Sequence, residues 1–142
     1  MGNYLVQTVT LDSSLEGVDK GEALVLDTAR RLGFDEDALH EIGVSARESL
    51  VNAVAHGNRY SVRKKVQLVV DESVERLVIE IADEGSGFDA EAVPDPLGDD
   101  NLLRQSGRGL LMIRAFMDEV SVTRREPSGT LVRMVKLRQP HA

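Results

Sequence analysis

The sequence predicts an α+β two-layer sandwich: a mixed, mostly antiparallel sheet covered on one face by about three helices. Three observations predict it. The elements read in the order β–α–α–β–β–loop–α–β–β, in which strands outnumber helices and alternate with them too irregularly for a doubly wound fold. Two pairs of β-rich runs carry turn residues between them, Val66–Val70 with Arg76–Ala82 and Val120–Arg124 with Thr130–Leu137. The length of 142 residues suits a single domain, 1–142, which buries roughly 68–70% of its unfolded surface on folding.

Taken in order, Tyr4, Val6, Val9 and Leu11 form an imperfect strand-like stretch. Ser13-Ser14-Leu15-Glu16 reads as a capping box, with Ser13 at the cap and Glu16 three residues on. Apolar residues at helical spacing (Val18, Leu24, Val25, Ala29, Leu32) predict a first helix over 15–32, stopped by Gly33. Asp35-Glu36-Asp37 places negative charge where a helix dipole favours it, opening a second helix from about 36 to His56 that Gly57 ends. Its core face is Leu39, Ile42, Ala46, Leu50, Ala53 and Val54. The hairpin follows, turning through Asp71–Glu75. An irregular stretch from about 84 to 106 holds Pro94, Pro96, Gly85, Gly87, Gly98 and the acids Asp89, Glu91, Asp95, Asp99 and Asp100. A loop this long inside a compact domain is read as an active-site lid, ordered by its ligand. Leu110–Met117 is a short apolar helix opened by Gly107-Arg108-Gly109, and Pro127-Ser128-Gly129 joins the last two strands.

Composition narrows the function classes. Lys+Arg 17 against Asp+Glu 24 gives 17 − 24 = −7, which argues against phosphate-backbone binding, so no nucleic-acid partner is expected. The run Arg59, Arg63, Lys64, Lys65 is accordingly read as a solvated turn. With no cysteine there is no disulfide framework, thiolate nucleophile or cysteine zinc site. No apolar run spans a bilayer, the start lacks the basic and apolar regions of a signal peptide, and Val6 breaks the myristoylation pattern. A cytoplasmic protein without membrane contact is the expectation.

Three short patterns carry chemistry. Glu48, Asn52 and His56 recur at i, i+4, i+8 and place a polar stripe on the second helix. An amide oxygen there can ligate a hard cation, and a carboxylate one turn away can take a proton from a hydroxyl; a plain solvated face is the competing reading. Asp83 closes a strand and is followed by Gly85 and Gly87, so backbone can approach a ligand while the carboxylate accepts from an exocyclic amine. Strand exits often carry such turn residues without any ligand. Gly107-Arg108-Gly109-Leu110 opens a helix, where free N–H groups and glycines can hold a phosphate, or where the glycines are only a hinge.

Taken together, Glu-x-x-x-Asn-Ala-x-x-His-Gly (Glu48 to Gly57), Asp-x-Gly-x-Gly-Phe (Asp83 to Phe88) and Gly-x-Gly-Leu-x-x-Ile (Gly107 to Ile113) resemble the N, G1 and G2 boxes of the GHKL ATPase superfamily. The short length and Gly-Arg-Gly-Leu-Leu-Met-Ile-Arg-Ala-Phe-Met-Asp-Glu-Val are most similar to its anti-sigma-factor serine kinase branch. The resemblance implies a Bergerat-type histidine-kinase-like ATP-binding domain with an ATP lid, using ATP and Mg²⁺. It assigns Glu48 as general base and Asn52 as Mg²⁺ ligand. Asp83 would recognise the adenine amino group, Gly85 and Gly87 would form the adenine-side turn, and Gly107 and Gly109 would approach the phosphates. Arg104 and Arg108 are candidate γ-phosphate neighbours or ordinary lid charge, and His56 reads as a structural cap. The implied function is an anti-sigma factor that sequesters a sigma factor and phosphorylates a serine on an anti-anti-sigma antagonist. A homodimer is implied with it. The alternative is a nucleotide-gated switch module of the same fold without phosphotransfer. A histidine-kinase catalytic domain is disfavoured, because no phosphoacceptor helix precedes the predicted domain.

Overall fold

The structure, a computed structural model, describes residues 4–85 and 109–138. Apart from Glu84 and Gly85, the expected lid lies outside these residues, as do Gly87, Arg104, Gly107 and Arg108. The chain runs through β1 (Val6–Asp12), α1 (Leu15–Arg31), α2 (Glu36–Val51), a π-helical turn (Asn52–Gly57), β2 (Lys65–Glu72), β3 (Arg76–Ala82), α3 (Gly109–Phe116), β4 (Glu119–Arg124) and β5 (Thr130–Leu137). This is the predicted order. The five strands form one sheet, β1-β2-β3-β5-β4, and every pairing is antiparallel.

Register decides which residues meet. Val9 faces Leu68, Leu68 faces Ile81, and Ile81 faces Val132, so alternate residues of neighbouring strands line one face. That face joins Val18, Val25 and Ala29 of α1, Ile42, Ala46 and Leu50 of α2, and Ile113 of α3 in one core. The other face carries Thr8, Gln67, Asp71, Glu80 and Arg133, the polar side of a half-covered antiparallel sheet.

Helix ends follow local chemistry, with two differences from the sequence reading. The N-cap of α1 is Ser14, whose backbone is extended and whose hydroxyl accepts from Gly17 N at 3.1 Å. Ser13, expected at that position, is buried; it donates to Lys64 O and accepts from Asn58 Nδ2 at 3.0 Å. Tertiary partners across 45 or more positions override the local capping signal. The second helix departs from α geometry at Asn52, four residues before its expected end at His56, and continues as the wider turn. Gly33 stops α1 at φ +87°, the left-handed conformation expected of a C′ glycine.

One ion pair ties the end of α1 to the sheet. Arg31 donates to both oxygens of Glu72, at 3.1 and 2.7 Å, and Leu5 N donates to Oε1 at 3.0 Å. Glu72 is only 3% exposed, and the Arg31 hydrogen bonds hold its carboxyl below the usual range against the opposing effect of burial. A carboxylate with a lowered folded pKa stabilises the fold above its unfolded value and loses that contribution as pH falls through the folded one. Glu72→Gln is therefore expected to cost roughly 1–2 kcal/mol at neutral pH, from weakened bonds to a charged partner that keeps half its surface in solvent. It should also flatten the acid limb of the stability curve below about pH 5. Denaturant titration across pH tests both, and an acid limb identical to wild type would assign that limb to other carboxylates.

Candidate active site

The site is built along the end of α2 and the π-helical turn, which meet the start of α3 and the end of β3 respectively. Glu48 is half-buried on the last turn of α2, and Asn52, also half-buried, stands where the helix widens. The Asn52 N–H is shared between Glu48 O and Ser49 O. Farther on, Asn58 N donates to Ala53 O at 2.8 Å and Tyr60 N to Val54 O at 2.9 Å. Such wide turns are uncommon and concentrate at functional sites. Arg59 and Tyr60 then adopt φ of 50° and 57°, left-handed values uncommon for side-chain-bearing residues. His56 ends up exposed near the close of this turn.

The turn sets Gly57 directly over the carboxyl of Asp83. A Cβ at Gly57 would overlap Asp83 Oδ2, and one at Gly85 would overlap Gly57 O. Only residues without a side chain allow these two backbones to approach so closely. Asp83 is 6% exposed, and its Oδ1 accepts from Gly85 N at 2.9 Å and Thr130 N at 3.1 Å. Both of its described side-chain bonds thus use Oδ1, while Oδ2 faces Gly57. Burial pushes the Asp83 carboxyl up from its ordinary value; the bonds from Gly85 and Thr130 and the charges of Arg125 and Lys64 oppose that push.

Gly85→Ala is a sharp test of this packing. The new methyl meets backbone, which cannot rotate away, so either the π-helical turn or the end of β3 must shift. Destabilisation of roughly 1–3 kcal/mol, as for overpacking in a core, is expected in thermal unfolding. An unchanged melting temperature would mean that the two segments are not held together.

The first residue of α3 meets α2 in the same way. A Cβ at Gly109 would overlap Glu48 Oε1, which places the Glu48 carboxylate beside the opening of α3. This margin of the sandwich thus sets Glu48 against Gly109, and Asp83 against Gly57 and Gly85, along the helical segment that carries Asn52.

Sequence reasoning missed the residues that hold this margin together. Asn58 is 1% exposed; its Nδ2 donates to Ser13 Oγ and Lys65 O, both at 3.0 Å, and its Oδ1 accepts from Glu84 N at 2.8 Å. It pins the chain leaving Asp83 to the start of β2. The turn between β4 and β5 closes around Asp83 from the other side. Asp83 N donates to Thr130 O at 3.0 Å, Arg125 Nη1 donates to Asp83 O at 2.6 Å, and Gly129, at φ +104°, leaves no room for a side chain against that carbonyl. Asn58 follows a glycine that ends a helix, a local signal for a turn only; the Thr130 contact spans 47 positions and has no local signal.

Comparison with known proteins bears on what such a margin does. The model of the histidine kinase-like ATPase domain matches residues 11–136. The serine-protein kinase RsbW of Staphylococcus epidermidis is 34% identical over 113 residues, spanning 75% of this chain and 70% of that protein. The serine-protein kinase RsbW of Oceanobacillus iheyensis is 26% identical over 142 residues, spanning 96% of this chain and 89% of that protein. Among solved structures, the RsbU and RsbW domains of a Mycobacterium tuberculosis protein superpose with a TM-score of 0.67 at 16% identity. That match covers 96% of this chain and 33% of the solved one, and it is a likeness of fold.

Proposed function

The chain belongs to the histidine kinase-like ATPase domain family, with serine-protein kinase RsbW relatives, and we propose that it is an anti-sigma factor and protein-serine kinase that uses Mg²⁺–ATP. The observation that carries the reading is the contrast between two carboxylates with different surroundings. Asp83 is buried with Oδ2 facing Gly57, and Glu48 is half-buried beside the opening of α3. The residues present suit a nucleotide by their chemistry: two carboxylates and an amide oxygen stand beside glycines at 57, 85 and 109, which keep side chains away from Asp83 Oδ2, Gly57 O and Glu48 Oε1.

In this reading Asp83 accepts a hydrogen bond from the adenine amino group, and Gly85 and Gly87 keep the adjoining turn narrow. The N–H groups at the start of α3 have no helical partners of their own and suit an anion. Gly107 and Gly109 allow phosphate to approach them, with Arg104 and Arg108 as γ-phosphate neighbours. Asn52 offers its amide oxygen to Mg²⁺, and Glu48 takes the proton of the attacking serine hydroxyl. The bound Mg²⁺–ATP supplies the phosphoryl group and neutralises the charge that develops on it. The protein's share is positioning and one proton transfer.

The proposed partners are a sigma factor, held inactive, and an anti-anti-sigma antagonist that carries the acceptor serine. A homodimer in the cytoplasm fits this role. Among the described residues no helix is long and apolar enough to cross a membrane. The test is transfer of ³²P from ATP, with Mg²⁺, to the cognate antagonist recovered by pull-down, followed by phosphosite mapping. Label on one serine is the expected result. ATP binding without any transfer would instead identify a nucleotide-gated switch module.

A further inference from the structure

We propose that Arg125 is a positioning residue for base recognition, acting through Asp83; the inference rests on the assignment of Asp83 to the adenine amino group. Arg125 leaves β4 at the turn toward β5, and its own N–H closes that turn on Gly129 O at 3.0 Å. Its guanidinium reaches back to Asp83 O at 2.6 Å. The peptide that carries the recognition carboxylate is therefore gripped at four points from one hairpin. Thr130 takes the N–H and donates to Oδ1, Gly129 abuts the carbonyl, and Arg125 donates to it. The first three contacts come from backbone, so any residue permitted there makes them. Arg125 makes the only side-chain contact of the four, and it alone brings charge.

That arrangement does two things. A carbonyl held by a guanidinium fixes the rotation of the peptide after Asp83 and so the position of Gly85, whose N–H holds Oδ1 and thereby orients Oδ2. A cation within hydrogen-bond reach of the same residue also favours the ionised carboxylate, the form that can only accept, in a place where burial disfavours it. Among the described residues, the charged groups around Asp83 are Arg125 from the hairpin, Lys64 from the segment before β2, and its own neighbour Glu84, whose carboxylate takes the Lys65 N–H. Lys64 acts on Asp83 through its charge, so Arg125 is the cation that combines charge with a contact.

The experiment measures ADP affinity across pH for wild type, Arg125→Met, Arg125→Lys and Asp83→Asn, with circular dichroism to confirm folding. Arg125→Met keeps the length but removes charge and donors. It should weaken ADP binding about tenfold at neutral pH and move the acid loss of affinity to higher pH. In phosphotransfer its KM for ATP should rise with kcat unchanged. Arg125→Lys restores the charge and should return the acid midpoint toward wild type. A folded Arg125→Met protein with wild-type affinity and pH profile would overturn the inference, provided that Asp83→Asn in the same series loses affinity. If Asp83→Asn binds ADP normally, the base assignment itself is at fault.

Discussion

Glu48→Gln is expected to slow phosphoryl transfer to the antagonist roughly 10²–10⁴-fold, the usual worth of a positioned general base. Nucleotide affinity should stay close to wild type, because glutamine keeps the size and hydrogen bonding of glutamate and loses only the basic oxygen. Asn52→Ala should behave differently and weaken Mg²⁺–ATP binding as well as transfer, since it removes the amide oxygen proposed to hold Mg²⁺. The geometry adds a third variant. A methyl at Gly109 would displace the Glu48 carboxylate, which is the movable end of a flexible side chain. Gly109→Ala should therefore leave the fold intact while lowering kcat, through a base pushed out of place. Single-turnover ³²P transfer beside equilibrium nucleotide binding separates these outcomes. Normal transfer with glutamine at 48 would move the base to another residue.

The fold was legible because its signals are local and repetitive. Arg76–Ala82 and Thr130–Leu137 were located from apolar and β-branched content, and the structure places β3 and β5 over those residues. Of the core face taken from helical spacing, Ile42, Ala46, Leu50, Ala53 and Val54 are buried and Leu39 is partly buried against the core. What could not be read depends on partners distant in sequence. Ser13 and Ser14 are chemically identical neighbours, and the choice of cap turns on Asn58 and Lys64 arriving beside Ser13. The π-helical turn has no composition of its own, for Asn52–Gly57 would be acceptable as ordinary helix. It brings Gly57 against Asp83, a contact 26 positions away in sequence. The margin itself was visible as three short patterns, whereas its supports, Asn58 and the Arg125–Thr130 hairpin, exist only once β3 and β5 are side by side.

Asp83→Asn should weaken ATP and ADP binding by about 1–3 kcal/mol, or roughly 5- to 150-fold in Kd. The direction follows from which oxygen is already engaged. In the wild type Oδ1 accepts from Gly85 and Thr130, and in the proposed reading Oδ2 is the acceptor for a base amine. Asparagine satisfies the two backbone donors with its carbonyl oxygen, which forces its amide NH₂ into the place of Oδ2. Two donors then face each other across the base contact. Acid should mimic the substitution in the wild type, because a protonated Asp83 carries a hydrogen where the amine must donate. Burial raises the Asp83 pKa, so this loss should set in at higher pH than for a surface carboxylate, and the asparagine variant should lack it. Stability moves the other way. A carboxyl with a raised folded pKa favours folding below its unfolded value and loses that contribution as pH rises through the folded one. The variant should therefore unfold no more easily than wild type at neutral pH, which separates lost recognition from lost structure. Calorimetric titration of ADP from acid to neutral pH, paired with thermal unfolding, reads both. Equal affinity in the two proteins throughout that range would remove Asp83 from the base contact.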